Sequence, residues 1–194
     1  MIVLLPIFYW TVDKKTAFLI GGMGIFSMAI NGAIKDIAKV ERSIENENIR
    51  FVEIDNFFVS TKSLSNSYSF PSGHAQLTSS ILLTAGFHFK NKRFWIVAIV
   101  MSILVGMSRI YLGVHWPLDV LIGILLGFVS AYFGYKLFIK CGDKRLFLDL
   151  SLIALAFILI IFAEKEDTFK GIGALFGLAI GSICESYLIK FDPK

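Results

Sequence analysis

The chain has 194 residues, of which 56% are hydrophobic and only 18% charged, with a net charge of +4. Its mean hydropathy is +0.71, whereas an average soluble domain carries about 25% charged residues. These proportions exclude a disordered chain and an ordinary soluble domain, and the two cysteines, Cys141 and Cys184, are too few for a disulfide framework. They describe an integral membrane protein, an all-α polytopic transmembrane helical bundle.

A span needs about 20 predominantly apolar residues. Residues 1–10 are apolar, but ten helical residues cover only about 15 Å, half of the hydrocarbon core. They are expected to form a half-span, either half-inserted or the tail of a span whose beginning is absent. A cleavable signal peptide fits poorly, because no basic segment precedes the stretch and no small-residue cleavage site follows it. Six spans are predicted after it, over residues 16–34, 74–89, 94–107, 116–139, 146–163 and 171–189. All 194 residues are expected to make one membrane-embedded domain.

Alternating these spans sorts the charges into two sets. Eleven of the 19 Lys and Arg, but only five of the 15 acidic residues, fall on the side that carries Lys14, Lys90 and Lys140. Basic residues are retained on the cytoplasmic side, so that side is expected to be cytoplasmic and the protein to reside in the cell membrane. Both cysteines fall on or near it and are expected to be free thiols. The opposite, exterior face holds the long connection of residues 43–70. There Phe51, Ile54, Phe57 and Phe58 suit either an interfacial helix or an irregular loop packed by its own aromatics. In the last span Gly173, Gly177 and Gly181 recur every four residues, a face suited to close packing inside the bundle or, alternatively, between two copies.

Three polar groups converge on the exterior face, and charges near a membrane are costly enough to point to function. Lys35 and Arg42 follow the first span. Phe70-Pro71-Ser72-Gly73-His74 opens the second, with Ser72 at the N-cap position. The turn from Ser108-Arg109 through His115-Trp116-Pro117 to Asp119 joins two later spans. Lys35, Arg42 and Arg109 supply permanent positive charge suited to a dianionic phosphate. The Ser72-Gly73 helix start adds backbone N–H groups and lets the chain approach an anion.

Two histidines sit on this cradle. Asp119 lies one helical turn beyond His115, where it can accept one imidazole N–H and leave the other nitrogen as nucleophile. His74 can then protonate the leaving oxygen. This constellation argues for phosphoryl transfer through a phosphohistidine. His74, His115 and Asp119 would also suit a divalent metal, but three surrounding cations oppose one, so no metal or other cofactor is expected. His88 lies fourteen residues past His74, about 21 Å along a helix, and belongs to the other membrane face. The partners expected are a lipid phosphate and membrane lipids, with no nucleic acid. Transfer of the phosphate to a hydroxyl rather than to water, and polyprenyl-phosphate binding without turnover, are the competing readings.

At these residues the sequence resembles the type 2 phosphatidic acid phosphatase family, whose pattern is K-x6-R-P, then P-S-G-H, then S-R-x5-H-x3-D. Pro71-Ser72-Gly73-His74 matches in full, as do Ser108-Arg109, His115 and Asp119 with their gaps. Lys35 and Arg42 keep the spacing of the first motif, with Ser43 in place of its proline. The resemblance covers about residues 5–139 and leaves two additional C-terminal spans within 146–189. It implies a helical phosphatase core working without a metal on lipid phosphates or diphosphates, such as phosphatidic acid, phosphatidylglycerol phosphate or undecaprenyl diphosphate. His115 is then the implied nucleophile, Asp119 its orienting partner and His74 the acid. Lys35, Arg42, Ser72, Gly73 and Arg109 would hold the phosphate oxygens. The family core usually has two full spans before the one that carries the first motif, where this chain has a half-span, which leaves both readings of residues 1–10 open: a half-inserted helix or the tail of a truncated span.

Overall fold

A computed structural model describes residues 14–42, 67–142 and 145–190. The predicted half-span at residues 1–10 and the aromatic cluster Phe51, Ile54, Phe57 and Phe58 lie outside the described residues. Within them the chain is helical, without a strand, and runs up and down through six helices: α1 (Lys14–Ala38), α2 (Gly73–Phe89), α3 (Lys92–Tyr111), α4 (Pro117–Cys141), α5 (Arg145–Ile160) and α6 (Glu166–Cys184). A π-helical turn, Glu185–Ile189, extends α6. Each helix corresponds to one predicted span. Four of the six (α1, α3, α4 and α6 with its extension) are long and apolar enough to cross a membrane. The protein is a membrane protein.

The boundaries have local causes. Lys90 takes a left-handed conformation and donates its N–H to the Gly86 carbonyl at 3.1 Å, closing α2. Asn91 then accepts from the Arg93 N–H at 2.9 Å and caps α3, so two residues turn the chain. Pro117 opens α4 at its first position, where the absent N–H is no loss. Helix α6 begins at Glu166, five residues before the predicted 171, because Glu166 and Asp167 in its first turn suit the positive end of the helix dipole. Helix α3 runs past the predicted 107 to Tyr111 and so carries Arg109 in its last turn.

Helix α2 is central and packs against α1, α3 and α4, while α6 packs against α1 and α5. The interfaces are built from small residues, which bring backbones close in the absence of a hydrophobic drive between helices in lipid. On α4, a Cβ at Gly123 would lie 2.6 Å from the Ser72 carbonyl oxygen, and one at Gly127 2.6 Å from that of Gln76. Only glycine permits so close an approach, and it sets the start of α2 directly against α4. A core cluster gathers Ala29 and Ala33 of α1, Ala156 and Leu159 of α5, and Ile172 and Leu175 of α6.

The stripe on α6 does not pack as expected. A Cβ at Gly173, Gly177 or Gly181 would meet nothing within 4 Å; the close contacts to α1 come instead from Gly171 against Ala29 and from Thr168 against Gly32. The helix meets α1 through a different face, and the glycine face is left open. Cys141 and Cys184 are free thiols.

Candidate active site

The up-and-down path puts the C-terminal ends of α1 and α3 beside the N-terminal starts of α2, α4 and α6. Sequence positions 35, 74 and 109 meet there because each lies within a turn of such an end. Lys35, Arg42, Gly73, His74, Arg109 and His115 all line one cavity of about 930 Å³. Ser72 and Asp119 do not reach it; both are buried in the layer behind.

The cations are held by the chain itself. Lys35 donates from Nζ to the Tyr68 carbonyl at 2.8 Å. The Arg42 guanidinium donates to the Ser67 carbonyl at 2.9 Å, the Ser67 hydroxyl at 2.6 Å and the Val114 carbonyl at 3.4 Å. These bonds fix two positive groups on the cavity wall through residues 67–68, which sequence reading did not single out. Arg109 lines the same cavity, with its Nε buried and without a partner.

Behind the wall, Asp119 orients the turn that carries His115. Its Oδ2 accepts the Trp116 N–H at 2.9 Å, the hydroxyl of Ser69, and His115 Nδ1 at the longer distance of 3.4 Å. Ser69 Oγ also lies 3.2 Å from His115 Nδ1. The Ser69 proton is committed to the carboxylate, so the ring N–H must be the donor in that contact. Nδ1 therefore carries the proton, and the link from His115 to Asp119 runs chiefly through Ser69. The direct contact anticipated from the four-residue spacing is present but long. Burial is the main force holding the His115 imidazole below its usual range, aided by the charges of Arg42 and Lys35 and partly offset by Asp119.

Ser72 departs from its anticipated capping role. Its side chain makes no cap bond, and the buried hydroxyl has no partner. Its backbone works instead: the N–H donates to the Asp119 carbonyl at 2.9 Å, and the carbonyl accepts from Gln76 N–H at 3.0 Å. This pairing ties the start of α2 to the start of α4. His74 is exposed to the cavity. His88 sits at the far end of α2, 2.9 Å from the Thr16 hydroxyl, away from the site as expected. Among the described residues, no three His, Cys, Asp or Glu side chains group as a metal site would require.

Two buried amides brace the cradle. Asn31 donates to the Pro71 carbonyl at 3.3 Å and to Gln76 Oε1 at 2.8 Å, while Gln76 donates to the Ser27 carbonyl at 2.9 Å. A lone Asn in an apolar span was the signal for this network, since an amide in lipid needs partners. No comparable signal marked Ser69, one serine among several in a polar loop.

The model of the PAP2 superfamily matches residues 16–143. The chain is 50% identical over 64 residues to an undecaprenyl-diphosphatase of Sulfolobus acidocaldarius, covering 31% of this chain and 29% of that protein. It is 42% identical over 71 residues to phosphatidylglycerophosphatase B of Bacillus subtilis, covering 32% and 35% respectively. A human protein, sphingosine-1-phosphate phosphatase 2, is 27% identical over 151 residues, 74% of this chain and 36% of its own length. The matched stretch thus spans about a third of the length of these relatives. No solved structure matches the chain. With the family model covering about two thirds of its length and all three motifs meeting at one end of the bundle, the chain belongs to the PAP2 superfamily.

Proposed function

We propose that this protein is a membrane lipid phosphatase that cleaves phosphate or diphosphate from a lipid through a phosphohistidine on His115. The observation that carries this reading is the convergence of Lys35, Arg42, His74, Arg109 and His115 on one cavity, with Ser69 and Asp119 aligned behind His115. The relatives named above are phosphatases of lipid mono- and diphosphates, which supports the substrate class.

The geometry supports the following chemistry. Lys35, Arg42 and Arg109 neutralise the phosphate oxygens, and the Gly73 start of α2 adds backbone N–H groups. Ser72, buried behind the cavity, acts at one remove: its backbone N–H holds the start of α2 to the Asp119 carbonyl and so sets where Gly73 stands. Because Nδ1 of His115 is protonated and held by Ser69 and Asp119, Nε2 is the nitrogen free to attack phosphorus. The P–N bond forms as the P–O bond to the lipid breaks, and His74 delivers a proton to the departing oxygen. His74 then takes a proton from water as that water attacks phosphorus, which breaks the P–N bond and releases phosphate. The Asp119 carboxylate stabilises the positive charge that builds on the ring of His115.

The charge asymmetry of the termini and loops favours the exterior face of the cell membrane for this site. Phosphate release by purified protein in detergent with EDTA, from a panel of phospholipid and polyprenyl phosphates, tests the reading against His115→Ala. Release by the parent alone is expected. Equal release by both, or release abolished by EDTA, would refute it.

A further inference from the structure

The cavity that holds the cradle does not end there. From Lys35 it continues down α1 past Met28 and Ile25 to Phe18 and Ala17, and down α6 from Lys165 to Ser182, with Leu77 and Ile81 of α2 on its third side. Eighteen residues of helix measure about 27 Å, close to the thickness of the hydrocarbon core. The cavity is therefore a groove the depth of a membrane, cationic at one end and almost wholly apolar along the rest.

We infer that the groove between α1 and α6 receives the hydrocarbon chain of the lipid whose phosphate the cradle binds, and that Gly177 and Gly181 set how long a chain fits. This rests on the function proposed above. Three observations commit the occupant. The apolar groove is continuous with the cradle, so one molecule anchored at the head end must direct its tail into it or out of the protein. The head end matches an amphiphile with an anionic group: Lys35 and Arg42 are tethered there, and the Nε of Arg109 is buried without a partner. The α6 wall is smooth where the groove is deepest, since Gly177 and Gly181 line it and a Cβ at either would enter open space. Helix α6 lies outside the segment matched by the family model, so the family resemblance does not itself assign this wall a role.

The test is a pair of lipid phosphates with one head group, one short-chained and water-soluble, one long-chained. Gly177→Leu and Gly181→Leu place a side chain in the groove without harming α6, because leucine is the better helix former. Each is expected to lower the ratio of long-chain to short-chain kcat/KM about tenfold, the effect of denying burial to roughly two methylenes. Gly173→Leu, on the same exposed helix face but outside the groove, is expected to leave the ratio unchanged. An unchanged ratio in the groove variants would overturn the inference and point to another occupant, such as residues 1–13 or a second copy.

A lipid phosphonate carrying a photoreactive group near mid-chain supplies a readout independent of turnover. It is expected to label residues 174–182 of the parent, and labelling elsewhere only would overturn the groove. An inactive parent that is labelled there would retain the groove and remove the phosphatase reading.

Discussion

Ser69→Ala isolates the link between His115 and Asp119. Asp119 Oδ2 has three donors: the Ser69 hydroxyl, the Trp116 N–H at 2.9 Å and His115 Nδ1 at 3.4 Å. A hydrogen bond to a charged acceptor is worth about 1.5–3 kcal/mol. Two donors remain after the substitution, so the lower end applies, and His115 is left with only its 3.4 Å contact to hold the ring. About 1.5 kcal/mol lost from the transition state corresponds to roughly a tenfold fall in turnover. Ser69 is fully buried and does not line the cavity, so the loss should appear in kcat with KM little changed. Steady-state phosphate release in detergent separates the two constants, and Ser69→Cys, of similar size but with a weak S–H donor, should fall between parent and Ala. Parent-level kcat in Ser69→Ala, or a loss confined to KM, would refute the relay.

Four further outcomes follow from the same geometry. Asp119→Asn keeps an oxygen for the Trp116 N–H but removes the charge facing the imidazole; phosphoenzyme formation, followed by rapid quench, should slow about a hundredfold or more, with phosphate binding largely retained. Arg109→Ala removes the cation whose Nε awaits a partner, so inhibition by orthovanadate, which mimics pentacoordinate phosphorus, should weaken; equal inhibition would count against the cradle. Burial holds His115 below its usual range, so the acid limb of kcat/KM that reports its neutral form should lie below the ordinary imidazole value of about 6.5. The same shift has a stability consequence. The folded state takes up the proton less readily than the unfolded chain, so the neutral-ring contribution is complete above about pH 6.5 and declines as the pH falls through the folded value. Thermal unfolding of the parent should therefore be more acid-sensitive than that of His115→Gln.

Much of this protein is legible one residue at a time. Span positions follow from hydropathy because lipid admits only backbone that bonds within itself, and each predicted span corresponds to one helix of the structure. Lys35, Arg42, His74 and Arg109 could be placed at one depth because successive helices must turn back, so alternate ends share a face. Helix ends were less legible: α6 begins at Glu166, since charges in a first turn look like loop in a hydropathy window yet suit the helix dipole.

Contacts across helices were decided by packing alone. Four-residue spacing put Asp119 near His115, but the route through Ser69 depends on a segment some fifty positions earlier being laid against α4, which Gly123 and Gly127 permit. Ser72 had the residue type and position of a cap, and its hydroxyl was nonetheless left unpartnered while its backbone bound Asp119. The glycine stripe of α6 had the spacing of an interface, yet its face was left open and only Gly177 and Gly181 line the groove, because Gly171 and Thr168, elsewhere around the helix, make the contact with α1. Periodicity marks which face of a helix is smooth; only the positions of the neighbouring helices decide whether another helix or an open groove lies against it.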